Sequence, residues 1–292
     1  MAGEYVALER GGQTFSGYSW GNGDETVLCL HGFPDTYNTF NHQVDYLTRQ
    51  GFQVVTPVMR GYESSSISAR GDYYVQNLAE DVLGWLEALD LERVHLVGHD
   101  WGAVAAGAAC ALAPDRIGTL SLLSVPFGKD LFKSLRVKPS QLINSWYMLF
   151  FQLGRFSEEV VAKNGLEFVE RLWRDWSPNW EFPPEQLGAA KQALEAPGVL
   201  EAALGYYRCA FQFWRPQTRE SLRLLLSNVE VPTLGLTGAE DGCIGPEFFR
   251  ECMSEDVFSK GLSVKTIPNA GHFLHQQAPE LVNEELLRWI RK

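Results

Sequence analysis

The chain has 292 residues, 45% of them apolar and 21% charged, with a formal net charge of −11. That balance excludes a disordered or low-complexity chain and suits one large α/β core with an insertion, or two domains. The acidity is spread along the sequence without a basic cluster, which argues against nucleic acid and membrane as partners.

Residues 5–8 and 13–20 predict an antiparallel hairpin turned at Gly11-Gly12. Residues 26–30 form an unbroken apolar run, as expected of a strand covered on both faces. Helical spacing over 41–50 ends at Gly51, and 52–57 reads as the next strand. Residues 73–89 predict an amphipathic helix with Val75, Leu78, Val82, Trp85 and Leu86 on one stripe. Strands follow at 94–98 and 117–125. The alternation then stops, and 127–225 is helix-rich and aromatic-rich without a good strand signal. It resumes with a strand at 231–237, a helix at 248–253, a strand at 262–267 and a closing helix at 280–290. Such alternation implies an α/β fold with a mostly parallel sheet and helices on both faces. The expected division is a core domain of 1–126 and 226–292 with a helical insertion at 127–225. The insertion would lie over the carboxyl ends of the strands, where such sheets place ligands.

Four segments fall at strand ends and can converge on one site. Gly98-His99-Asp100-Trp101-Gly102 joins a strand to a small-residue helix and has the pattern of a nucleophile elbow, with aspartate where serine is usual. A carboxylate there points to attack on an sp³ carbon through an ester intermediate. His272, after the last strand, is the expected base that activates water to cleave that ester. Asp241, preferred over its neighbour Glu240, would fix the tautomer of His272 and stabilise its imidazolium. Backbone N–H groups of Phe33 and Trp101 would form an oxyanion hole. His275, one helical turn beyond His272, is the fallback base. His31 is expected to hold the oxyanion loop, His99 to pack or bond locally, and His42 and His95 to be surface or structural.

Together these motifs resemble the epoxide hydrolase branch of the α/β hydrolase fold superfamily, over nearly the whole chain. His31-Gly32-Phe33-Pro34 is similar to that family's H-G-x-P oxyanion loop, and Arg60-Gly61-Tyr62 to its R-G-Y/F turn. The resemblance implies a cis Phe33–Pro34 bond and makes 127–225 a cap domain. It implies conversion of an epoxide and water to a vicinal diol through an alkyl ester on Asp100. It also implies two cap tyrosines that bind and protonate the epoxide oxygen, since an alkoxide leaves poorly without a proton. Tyr147 is similar to the first and Tyr207 to the second, with Tyr206 the rival for the second role. Phe33, Trp101, Tyr147 and Tyr207 would line the substrate site, and the aromatic insertion suggests a small apolar epoxide.

Haloalkane dehalogenases share the Asp-His-Asp machinery, and Trp101 could donate to a halide. Their usual partner donor is missing at Phe33, although Trp146 or another cap tryptophan could replace it. A receptor for a small ligand would not need the intact Asp100, Asp241 and His272 set. No Gly-x-Ser-x-Gly occurs, which speaks against a serine esterase. No cofactor or metal is implied. Five scattered cysteines without a C-x-x-C pair fit a reducing cytoplasm, with Cys29 and Cys110 as core fillers. No signal peptide is visible, and the apolar run at 143–153 is too short to span a bilayer.

Overall fold

A computed structural model describes residues 3–292. Gly11 and Gly12, at φ 60° and 77°, turn β1 (Glu4–Arg10) back onto β2 (Gln13–Trp20). Glycine enters that left-handed region without a steric penalty. β3 (Thr26–Leu30) is buried at every position. Its side chains alternate, so Leu28 and Leu30 enter one core and Val27 and Cys29 the other. Helix α1 (Asn41–Arg49), β4 (Gln53–Pro57), α2 (Val75–Ala88), β5 (Val94–His99), α3 (Trp101–Leu112) and β6 (Ile117–Leu123) follow. The five residues read as the apolar stripe of α2 are all buried.

The eight strands form one sheet in the order β1-β2-β4-β3-β5-β6-β7-β8, with β7 at Thr233–Gly238 and β8 at Leu262–Ile267. Only the pairings of β2 are antiparallel; the others are parallel. The strand expected from 231 begins at Thr233, just after Pro232, which has no N–H to give a sheet ladder. The chain leaves β3 for β4 on one side and returns to β5 on the other. The loops after β3 and β5 therefore diverge, which opens a crevice at the strands' carboxyl ends.

Between β6 and β7 the described residues form helices and no named strand. These are α4 (Leu131–Val137), α5 (Gln141–Asn144), α6 (Trp146–Phe150) and α7 (Arg155–Val161), with a 3-10 turn at Phe151–Leu153. Next come α8 (Lys163–Trp176), α9 (Pro184–Glu195), α10 (Val199–Phe211) and α11 (Pro216–Leu225). After β7 come α12 (Pro246–Cys252), α13 (Leu274–Gln277) and α14 (Pro279–Ile290). No helix among the described residues is long and apolar enough to cross a membrane.

Candidate active site

The turn from β5 into α3 is built on close backbone approach. A Cβ on Gly102 would lie 1.9 Å from the Leu30 carbonyl oxygen, and one on Gly98 would lie 2.3 Å from that of Gly102. Neither glycine has a left-handed φ; that strain falls on Asp100 itself, at φ 53° and ψ −122°. The turn sets the Asp100 carboxylate beneath the loop after β3. There the Phe33 N–H donates to its Oδ1 at 2.7 Å. Gly32 is the reason the two segments fit, because a Cβ there would meet that same oxygen at 2.4 Å. The Phe33–Pro34 bond is cis. His31 braces the loop, accepting the Met59 N–H on Nε2 at 3.0 Å.

The loops after β7 and β8 bring two more groups to Asp100. His272 places Nδ1 3.1 Å from Asp241 Oδ2 and Nε2 3.5 Å from Asp100 Oδ2. The second distance is a charge contact rather than a hydrogen bond, and Nε2 has no hydrogen-bond partner. Asp241 is itself held, its Oδ1 accepting the N–H groups of Cys243 and Ile244 at 2.8 and 2.9 Å. Glu240, the rival for that position, faces outward and accepts from Asn179.

Burial opposes ionisation of Asp100, but the facing His272 and then the Phe33 N–H hold its carboxyl below the usual carboxylate range. Burial likewise opposes a proton on His272, yet the negative groups facing it push its affinity well above the ordinary histidine value. Burial raises the thiol of Cys243, so it keeps its proton and the two carboxylates provide that charge. These shifts favour an Asp100 carboxylate facing a protonated His272, with Asp241 on the other side of the ring. Chemically, such a set can present a nucleophilic oxygen and later a base.

Two tyrosines of the insertion close the space above. Tyr147 on α6 and Tyr207 on α10 have ring centroids 5.7 Å apart. The Tyr207 ring also packs edge-on against Phe33 at 5.5 Å and Trp101 at 5.2 Å. The Tyr147 hydroxyl contacts Cys243 Sγ at 3.2 Å, and that of Tyr207 is buried with no hydrogen-bond partner. Burial and then the neighbouring negative groups, Asp100 among them, raise both phenols well above their ordinary value, so both retain a proton to donate. Tyr206, the expected rival, is turned away and donates to the Arg60 carbonyl at 2.6 Å. Trp146 is 42% exposed on the outside of the insertion, and the Trp173 indole N–H is bound to the Pro34 carbonyl at 3.0 Å. Trp173 is thereby engaged, while Trp176 is buried with its ring 5.1 Å from that of His272.

The remaining histidines sort by partner. His99 is buried and packs against the rings of His272, Phe273 and His275. Its Nε2 reaches the His272 carbonyl at 3.0 Å, a carbonyl that also accepts the Ser124 hydroxyl at 2.6 Å. His275 packs 4.4 Å from the His99 ring with Nε2 2.5 Å from the Thr39 hydroxyl, so its hydrogen bond leads away from Asp100. His95 is paired with Thr119, and His42 is exposed. Among the described residues one group, Asp35, His99 and His275, has donor atoms close enough for a cation. Asp35 accepts the Thr36 N–H and the Gln276 amide, whereas Nδ1 of His99 and Nδ1 of His275 are buried without a hydrogen-bond partner. Burial raises the Asp35 carboxyl to about 7.

Sequence reasoning missed the contacts that tie the insertion to the loops. The Trp176 carbonyl, at the end of α8, accepts the N–H groups of His272 at 2.9 Å and Gly242 at 3.1 Å. The Ser177 hydroxyl accepts the Phe273 N–H at 3.1 Å. Backbone acceptors carry no residue-type signature, so no motif announces them. Cys243 was legible only as a scattered cysteine.

Over residues 25–279 the chain matches the alpha/beta hydrolase fold family, and it belongs to that family. Epoxide hydrolase 2 of Caenorhabditis elegans is 27% identical over 264 residues, spanning 89% of this chain and 72% of that protein. Epoxide hydrolase 4 of Mus musculus is 28% identical over 298 residues, spanning 99% and 79%. The crystal structure of epoxide hydrolase A from Mycobacterium thermoresistibile matches with a TM-score of 0.83 at 23% identity, covering 99% of this chain and 98% of that one, a likeness of fold.

Proposed function

We propose that this chain is an epoxide hydrolase, converting an apolar epoxide and water to a vicinal diol through an ester on Asp100. The observation that carries this reading is the buried pair of phenols, Tyr147 and Tyr207, packed ring to ring, with Tyr207 against Phe33 and Trp101 on the two loops that flank Asp100. In the first step an Asp100 oxygen attacks a ring carbon while the two phenols receive the developing alkoxide. The imidazolium proton replaces the one the phenols pass to the alkoxide, which leaves an alcohol and a neutral His272. In the second step that His272 removes a proton from water, which attacks the ester carbonyl. Phe33 and Trp101 N–H groups stabilise the resulting oxyanion. Trp101 opens α3, so its N–H has no acceptor within the helix. Esterification itself prepares the second step. It removes the Asp100 charge that favours the imidazolium, so His272 becomes readier to act as a base.

The relatives named epoxide hydrolases support the same reading. We take 127–225 as the cap domain over a core of 1–126 and 226–292, because that segment supplies both phenols. The five buried thiols, none in a disulfide, fit a reducing cytoplasm. A dehalogenase would leave the two phenols without a task, and a small-ligand receptor would leave the Asp100–His272 contact without one.

Single turnover in water labelled with heavy oxygen tests the reaction. The label is expected first in the Asp100 carboxyl, by peptide mass spectrometry, and not in the diol. Label arriving directly in the diol overturns the ester route. With His272→Gln, an epoxide is expected to leave a stable adduct on the Asp100 peptide, and a bromoalkane is expected to give no bromide release beyond background.

A further inference from the structure

The outer face of the segment that carries Tyr147 is apolar and uncovered. From α5 through α6 and the 3-10 turn the chain is helical almost without a break. Gln141, Tyr147 and Phe151 are buried on its inner side. On the outer side Leu142, Ile143, Trp146, Leu149, Leu153 and Phe156 are exposed, from 42% at Trp146 to 74% at Ile143. Leu142, Trp146, Leu149 and Leu153 follow helical spacing, and ring contacts run from Trp146 to Phe150 and on to Phe156. An exposed apolar face of this extent marks a contact surface, and here only the inner side of the segment has a protein partner.

Charge says what the other side meets. Between Asp130 and Glu158 the chain has four cations, Lys133, Arg136, Lys138 and Arg155, and no Asp or Glu, within a protein of net charge −11. Lys133, Arg136 and Arg155 are exposed. Lys138 pairs with Glu247, and Glu158 is neutralised by Arg208. A second copy docked face to face would set these cations against their own images. Exposed tryptophan and aliphatic side chains beside cations suit the interface of an anionic bilayer.

We propose that this face, α4 to the start of α7, docks on an anionic lipid surface and so sets the helix of Tyr147 against the bilayer. The charge balance of the whole chain concealed this, because the acids lie outside the segment. Docking does not depend on the epoxide reading. The consequence that the site draws a lipid-dissolved epoxide through this face does rest on it.

Vesicle flotation without substrate separates the two. The full chain is expected to float with phosphatidylcholine vesicles containing about a third phosphatidylserine, and not with phosphatidylcholine alone. Ile143→Glu with Leu149→Glu, and separately Lys133→Glu with Arg136→Glu, are each expected to weaken partitioning at least about tenfold. Both variants should keep the wild-type melting temperature and turnover of a water-soluble epoxide, which excludes misfolding. Absence of binding to anionic vesicles at low salt overturns the proposal. So does a dimer in solution that Ile143→Glu with Leu149→Glu dissociates, since a second copy would then cover the face.

Discussion

Tyr206 and Tyr207 are adjacent in the chain, yet the first donates to the Arg60 carbonyl at 2.6 Å while the second holds a buried hydroxyl with no protein partner. Successive residues on a helix point about 100° apart, so the two meet different surroundings, Tyr206 the Arg60 carbonyl and Tyr207 the rings of Phe33 and Trp101. The sequence offered both for the same role, and the packing separates them.

Loss of the Tyr207 hydroxyl is therefore expected to slow ring opening by about 10²- to 10³-fold, the range found when a donor to a developing oxyanion is removed. Tyr206→Phe is expected to leave opening nearly unchanged and to lower stability by about 1–3 kcal/mol, since the buried Arg60 carbonyl loses its donor. Stopped-flow single turnover and urea unfolding of the two variants measure both effects. Equal losses of rate in the two would remove the distinction.

The His272–Asp100 contact makes stability depend on pH. The folded-state proton affinity of His272 lies above its ordinary value. Its contribution is then fully present below about pH 6.5 and fades as pH rises through the folded value. The lowered Asp100 value reports the same interaction and is not a second contribution. The melting-temperature gap between wild type and His272→Gln is expected to be widest just below about pH 6.5 and to narrow toward alkaline pH. A gap that widens with pH would reverse the assignment of charge.

The sheet was legible because its strands are short apolar runs bounded by turn signals, and burial on both faces demands such runs. Thr26–Leu30 and Leu262–Ile267 match their expected limits. That Asp100, Asp241 and His272 meet was legible because each follows a strand, and strand ends on one edge converge. The partners of the phenols were not. Whether Tyr147 meets Cys243, or Tyr206 meets Arg60, depends on how the insertion docks, and local periodicity contains no information on that. The bond from His99 to the His272 carbonyl, across 173 positions, was invisible for the same reason.

Arg60 grips Asp81 with two parallel hydrogen bonds, at 2.7 and 2.6 Å, and the side chains are only 5% and 9% exposed. Burial nevertheless raises the Asp81 carboxyl, so the pair only partly offsets its own desolvation. Arg60→Met is expected to lower stability by about 3–5 kcal/mol, because one charge is left without its main partner. Arg10 still reaches Asp81 at 2.7 Å and sets the loss toward the lower end. Adding Asp81→Leu to Arg60→Met should recover part of it. Urea unfolding of the two singles and the double gives the coupling, and strict additivity would show that the pair is not the cause.

The last test concerns the elbow. A Cβ at Gly102 would lie 1.9 Å from the Leu30 carbonyl oxygen and 2.7 Å from that of His31. Both contacts are to backbone, which cannot rotate aside, so β3 or α3 must shift. Gly102→Ala is expected to destabilise the fold by about 1–3 kcal/mol or more, as overpacking of a tight interior does. The loop after β3 carries Phe33, whose N–H holds Asp100 at 2.7 Å, so activity should fall further than stability. Gly188→Ala, on α9 with no atom within 4 Å of the added Cβ, is the control and should stabilise slightly, since alanine favours helix. Unfolding midpoints and rates of ester formation decide it: a Gly102→Ala variant as stable and as fast as wild type would mean the elbow is not constrained by this contact.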